Sequence, residues 1–167
     1  MDVPTVDYPA PSDDGISMVV GGQELLVDVE HPLHKAFVIR GRGTCTMPCK
    51  RGTDKCVVKL SWPEETRQTE PEILGTVKER AGNCPEIMNH ISEVIGSEVF
   101  DETSTDKIRI ALGLPSHPRR LVVTVLRRCK GKISQLSDWK FWKVWWECFI
   151  CEHIFLSYHF SPNVYLD

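Results

Sequence analysis

The stretch Cys56-Val57-Val58-Lys59-Leu60 predicts a short strand that carries a single cationic residue. Sixteen residues before Lys59 stands Gly43, in the run Gly41-Arg42-Gly43-Thr44. Eleven residues after Lys59 stands Glu70, at the start of an apolar helical segment. The sequence therefore places a glycine turn, a strand lysine and a helical glutamate in that order.

Length and composition favour one ordinary domain. The chain has 167 residues and a formal net charge of −3, which gives no reason to expect a nucleic-acid or anionic-membrane partner. No apolar run reaches the roughly 18 residues of a spanning helix, and residues 1–4 do not begin a secretory signal. The seven cysteines are an odd number, which favours reduced thiols in the cytoplasm or nucleus. We therefore expect an intracellular protein.

The first half of the chain predicts a tail followed by strands. Residues 1–15 are polar and contain proline, which is typical of a flexible tail. Two β-rich runs flank Gly21-Gly22 and predict a hairpin. Pro48, Gly52 and Asp54 predict that residues 47–54 form a turn. The predicted strands are 16–20, 24–29, 36–39 and 56–60.

One helical segment should follow the lysine strand. Ser61 is the expected N-cap of a helix that begins at Trp62. Pro71 would interrupt this helix, so either a second helix starts at Pro71 or the helix is kinked there. Gly82 and the residue after it should end the segment.

The second half predicts two more strands and a long helix. The strands are expected near residues 93–99 and at 121–126, with a loop or short helix at 101–109 between them. Asp138 and the serine before it should cap a helix that runs to about residue 157. The fold class is therefore α+β, a mostly antiparallel sheet with an inserted helix up to about residue 128, followed by a long C-terminal helix.

With these segments in view, the chain resembles the fungal-type protein kinase family, whose kinase-like domains are expanded in mushroom-forming fungi. The resemblance covers roughly residue 37 to the C-terminus. The segments that carry it are Gly41-Arg42-Gly43-Thr44, Val57-Val58-Lys59 with Ser61-Trp62-Pro63, Thr69-Glu70-Pro71-Glu72-Ile73-Leu74, Arg119-Arg120-Leu121-Val122-Val123, Ile133-Ser134-Gln135-Leu136 and Phe141-Trp142-Lys143-Val144-Trp145-Trp146-Glu147-Cys148.

The resemblance implies a kinase small lobe plus the first helix of the large lobe. The family activity that it implies is ATP-dependent phosphorylation of protein Ser and Thr hydroxyls. It implies Mg-ATP binding through Gly41, Gly43 and Lys59, with the lysine held by Glu70; Glu72 is the competing partner. The usual third glycine is replaced by Thr46.

The sequence also departs from the kinase pattern. Where a His-Arg-Asp motif is expected after the long helix, a degenerate catalytic loop with His159, Ser161 and Asn163 stands without the catalytic aspartate. No Asp-Phe-Gly segment occurs in the 167 residues. We therefore expect a truncated, pseudokinase-like domain that binds ATP weakly or not at all and transfers no phosphate by itself.

The aromatic helix offers a function of another class. Trp142, Trp145, Trp146 and Phe149 recur at helical spacing and could bind a protein partner or a second copy. The alternative function is therefore a non-catalytic interaction module.

A zinc site is the third chemistry that this sequence raises. Its candidate ligands are Cys148, Cys151, His153 and His159. A single Cys-x-x-Cys pair inside an apolar helix does not form the usual zinc knuckle, so buried packing cysteines are the favoured interpretation and no metal is expected.

Overall fold

The computed structural model describes residues 15–36, 43–82, 88, 91–115, 117–128, 137–146 and 149. These residues form two compact units. The sheet unit comprises the described residues of Pro9–Glu72 and Glu93–Cys129. The helical unit includes those of Ile73–Ser92 and Lys130–Asp167.

The sheet unit contains an antiparallel sheet. Its strands are β1 (Ile16–Val20), β2 (Gln23–Val27), β3 (His34–Lys35), β4 (Cys45–Arg51), β5 (Asp54–Ser61), β6 (Val94–Phe100) and β7 (Leu121–Arg127). They follow one another in the order β1-β2-β4-β5-β7-β6, and β3 pairs with β4. Every described pairing is antiparallel. The predicted α+β class with an antiparallel sheet is confirmed.

One face of the sheet forms the hydrophobic core. Directly opposed residues share a face, so Cys49 lies beside Cys56, and Val58 lies beside Val125. The other core residues on this face are Val20, Leu25, Val27 and Val123. The sheet curls so that the β1–β2 turn reaches β6, where a Cβ added to Gly21 would lie 3.1 Å from the Ser97 carbonyl oxygen.

The sequence prediction for residues 47–54 was wrong, because most of that segment is strand β4. Pro48 is tolerated there because its nitrogen, which carries no hydrogen, faces away from β5. Its carbonyl faces the same way and accepts the Asp28 N–H at 3.0 Å. Beyond Asp28 the chain no longer pairs with β4, and pairing with β4 resumes at β3. The actual turn is Gly52 and Thr53, with Gly52 at a φ of +58°.

The prediction of a helix start at Trp62 was also wrong. Residues 62–69 are not helical, and Glu64 forms an isolated β-bridge with Arg119. Helix α1 spans Glu70–Ala81, so Pro71 lies in its first turn, where a helix needs no N–H donor. As expected, the helix ends at Gly82, which has a φ of +56°.

The third predicted strand, 36–39, began too late, because β3 is His34–Lys35 and Ala36 is not in a strand. Most other elements follow the sequence predictions where the structure describes them. The β1–β2 hairpin, β6 and β7 are present, and the segment between β6 and β7 forms a 3-10 turn (Asp101–Thr103) and the short helix α2 (Asp106–Ala111). A C-terminal helix, α3, is described for residues 138–146 and at 149. The predicted tail up to residue 14, strand residues 37–39 and the helix end near 157 lie outside the described residues. No described helix is long and apolar enough to cross a membrane.

Candidate functional site

Gly43 lies between strands β3 and β4, two residues before β4 begins. The Ala36 N–H donates to the Thr44 carbonyl at 2.9 Å, which joins the two ends of the connection. Gly43 has a φ of +55°, a conformation that favours glycine, and a Cβ at this position would lie 3.5 Å from the Trp62 ring. Gly41 lies outside the described residues. The structure thus places Gly43 directly before the strand that pairs with the lysine strand.

Lys59 extends from the face of the sheet opposite the core. Its neighbours in the register are Thr46 on β4 and Thr124 on β7. Thr124 lies directly opposite Lys59 and therefore shares its face of the sheet, and it is only 2% exposed. Sequence reasoning did not identify Thr124, although it lies opposite Lys59 once β5 and β7 are paired. The site thus has a lysine between two threonines, one of them buried.

The first residue of α1 meets this lysine. Lys59 Nζ donates to Glu70 Oε2 at 2.6 Å, and the two side chains are 27% and 40% exposed. An ion pair of this length with partial burial holds the ammonium group more firmly than a fully exposed pair would. The structure brings together the lysine and the glutamate that the sequence favoured; their role toward a nucleotide stays a prediction.

Glu72, the competing glutamate, has a different function. Its Oε2 accepts a hydrogen bond from the Thr69 N–H at 2.6 Å, which is the return half of a capping box. Hydrogen bonds from the backbone and side chain of Thr69 lower the pKa of the Glu72 carboxyl. The cap therefore fixes the start of α1 and leaves Glu70 to meet Lys59.

The aromatic residues of α3 form a continuous set of ring contacts. Trp145 and Trp146 both stack on Phe149, each with ring centroids 5.8 Å apart, and Trp142 meets Trp145 edge to face at 5.9 Å. Their exposed fractions range from 47% for Trp145 and Phe149 to 63% for Trp142. The predicted stripe therefore exists, and it presents an exposed apolar surface.

Several predicted site residues lie outside the described part of the chain. These are the catalytic-loop candidates His159, Ser161 and Asn163 and the zinc candidates Cys148, Cys151 and His153. Within the described residues, no group of three or more His, Cys, Asp or Glu side chains could hold a metal ion.

A curled antiparallel sheet, a glycine turn, a strand lysine and a helical glutamate together define a protein-kinase-like small lobe. Comparison with protein families gives the particular family. The model described as Fungal protein kinase matches residues 10–137, more than three quarters of the chain, so the chain belongs to that family. No curated protein and no solved structure gives a significant match.

Proposed function

We propose that this kinase-like domain binds Mg-ATP at the lysine face of its sheet. The observation that carries the proposal is the contact of 2.6 Å between Lys59 and Glu70 beside the strand that follows Gly43. In protein kinases a lysine held by a helical glutamate contacts the α- and β-phosphates, and the glycine turn lets the backbone approach them. Phosphorylation of protein Ser or Thr is the activity that family membership suggests.

We further propose that the 167-residue chain does not transfer phosphate by itself. The sequence supplies no Asp-Phe-Gly segment for the metal, and the run Tyr158-His159-Phe160-Ser161-Pro162-Asn163 lacks the aspartate that accepts the substrate proton. Phosphoryl transfer depends on positioning and charge neutralisation, so loss of both groups leaves binding without turnover.

The test is a thermal melt of the chain with and without saturating Mg-ATP. Nucleotide at about 100 times its Kd should add about 2.7 kcal/mol, a rise of roughly 5–10 °C in Tm for a chain of this size. Lys59→Met should abolish the shift because it removes the only positive group of the pair. Lys107→Met, which changes an exposed lysine of α2, is the matched control and should keep the shift.

The exposed aromatic face of α3 supports a second candidate, an interaction module that binds a protein partner or a second copy. A face with Trp142 63% and Trp146 55% exposed is unusual for a monomer and marks contact surfaces in other proteins. In the same experiment, a cooperative melt with no Mg-ATP shift in the unmutated chain would contradict the nucleotide proposal and favour this second function.

A further inference from the structure

The segment between β5 and α1 determines where Glu70 lies. Lys59 is near the end of β5, and Glu70 begins α1, so residues 62–69 are the connection between the two partners of the ion pair. This connection contains no helix. Its path must be fixed by contacts with other parts of the sheet unit, because eight residues without regular structure have many alternative conformations.

Backbone contacts attach this connection to the segment that leads into β7. Glu64 forms a β-bridge with Arg119, and the Glu65 N–H donates to the Pro118 carbonyl at 3.0 Å. The two segments are far apart in the sequence, but their backbones lie within hydrogen-bond distance. It lies only a few residues before Glu70.

The Arg119 side chain adds a second attachment to the same connection. Its Nη2 donates to Glu64 Oε1 at 3.2 Å, and its Nη1 approaches the Trp62 carbonyl at 3.4 Å. The side chains of Arg119 and Glu64 are each 27% exposed, so water screens this pair only in part. The forked guanidinium can reach both acceptors together, which a lysine ammonium cannot do as well.

Arg119 is itself held on its other side by the segment before α2. Its backbone N–H donates to Thr105 Oγ1 at 2.9 Å, and its carbonyl accepts the Thr105 N–H at 2.8 Å. Ser104, the residue before Thr105, donates its hydroxyl to Glu65 Oε1 at 2.7 Å. Arg119 therefore links three segments of the sheet unit.

We propose that Arg119 is a positioning residue, which holds the β5–α1 connection so that Glu70 stays against Lys59. The inference rests on the proposed function for its biological meaning, because the ion pair matters for activity only if the site takes a nucleotide. Arg119 acts through its contacts with Glu64, Trp62 and the backbone of the connection.

The test measures the ion pair directly and needs no nucleotide. A water-soluble carbodiimide adds to a carboxylate to form an O-acylisourea. A deprotonated amine in contact then displaces the urea and forms an amide, so the linked peptides are lighter by one water. In the full chain this reaction should join Lys59 to Glu70, and peptide mass spectrometry reads the yield. Arg119→Ala should lower the equilibrium constant for the Lys59–Glu70 pair by about fivefold, the factor that corresponds to about 1 kcal/mol of lost attachment, and the cross-link yield should fall with the paired fraction.

Arg67→Ala is the matched control. Arg67 also pairs with Glu64, at 3.3 Å, but it belongs to the connection and does not attach it to the rest of the sheet unit. This variant should keep the cross-link yield of the unmutated chain. Hydrogen exchange at Val58 and Val125, two core strand positions, should stay unchanged in Arg119→Ala, which separates a local release from general destabilisation.

An unchanged yield in Arg119→Ala, or an equal loss in Arg67→Ala, would overturn the proposal. If Arg119→Ala does not fold, Arg119→Lys provides the test, because it keeps the charge beside Glu64 and loses the second donor to Trp62. Its yield should fall part of the way, and a yield equal to the unmutated chain would again overturn the proposal. A chain that gives the expected cross-links but no Mg-ATP shift would leave the positioning role standing and refute the nucleotide proposal.

Discussion

Cys49 shows what the interior of the sheet does to a single side chain. It is fully buried and lies opposite Cys56 on the core face. Burial disfavours the thiolate and raises the pKa of Cys49 to about 12, with the neighbouring Cys56 adding in the same direction. Burial likewise raises the pKa of Cys56. Both residues therefore behave as small apolar side chains and not as nucleophiles at neutral pH.

The buried thiol predicts a loss of stability in alkali. The pKa of Cys49 is raised in the folded chain, so above pH 9 the unfolded state releases the proton first, and stability falls between about pH 9 and 12. Over this range the Cys49 thiol lowers the free energy of unfolding by up to about 1.4 kcal/mol per pH unit. Urea unfolding from pH 7 to 10.5 should show a shallower alkaline decline for Cys49→Ala than for the unmutated chain.

Val58→Ala is the control for this experiment. It removes core volume from the same face but no titrating group, so its cost should stay constant with pH. Parallel alkaline declines in the unmutated chain and Cys49→Ala would contradict the prediction.

Single residues were the part of the candidate site that the sequence predicted best. Lys59 could be identified because it is the only charged residue in the apolar run of residues 56–60, and Glu70 because it precedes an apolar helical run. The Thr69–Glu72 capping box, which separates Glu72 from Glu70 in the structure, was a local signal that the sequence analysis did not use. Thr124 could not be identified from sequence, because its place beside Lys59 depends on a long-range strand pairing.

At the scale of the element, the start of α1 depends on the Thr69–Glu72 cap. Pro71 has no N–H to offer, so the first turn relies on the hydrogen bond from the Thr69 N–H to Glu72. That bond favours the charged carboxylate and lowers the pKa of Glu72 below its usual value of 4.5. The side chain is exposed, so water and salt weaken the effect.

Glu72→Gln should therefore destabilise the chain at neutral pH and not in acid. A carboxyl with a lowered folded pKa contributes stability above its unfolded pKa, and that contribution disappears as the pH falls below about 4.5. We expect a cost of roughly 0.5 kcal/mol at pH 7 and almost none at pH 3. Urea unfolding at the two pH values measures it, with Glu79→Gln as the control on the same helix. A cost that persists at pH 3 would refute this account.

Elements were predicted where their signals were local and missed where tertiary contacts overrode them. The β1–β2 hairpin and β7 could be predicted from β-branched runs and glycine pairs. Strand β4 was missed because Pro48 usually breaks strands, and only the interrupted edge beside it makes the proline acceptable. The false helix at Trp62 had a good local start, but Arg119 pairs with Glu64 from a distant part of the chain and holds Glu64 in a β-bridge instead of a helix.

At the scale of the sheet unit, the most important feature is the curl of the sheet, which brings the β1–β2 turn into contact with β6. The Gly21 N–H donates to Glu98 Oε2 at 3.1 Å, and a Cβ on Gly96 would lie 3.1 Å from the Val20 carbonyl oxygen. The register of β6 on β7 shifts between Val94 and Gly96, which bends the strand at this contact. The sequence shows the glycines but not that they meet, because they lie far apart along the chain.

The contact between turn and strand can be tested by comparing two adjacent glycines. Gly21 and Gly22 both have positive φ, at +55° and +76°, so alanine at either position should cost about 1 kcal/mol through backbone strain. A Cβ on Gly21 would also press on the Ser97 backbone at 3.1 to 3.2 Å, whereas a Cβ on Gly22 meets nothing within 4 Å.

Gly21→Ala should therefore be about 1 kcal/mol less stable than Gly22→Ala, because the backbone of β6 must also shift to make room for the added methyl group. Urea unfolding of the two variants gives this difference without knowledge of any ligand, and the shared strain of positive φ cancels in it. Equal stabilities would show that the turn does not press on β6 in solution. The expected difference would show that the curl of the sheet, on which the core of the lobe depends, is closed by backbone contact at a site where only glycine fits.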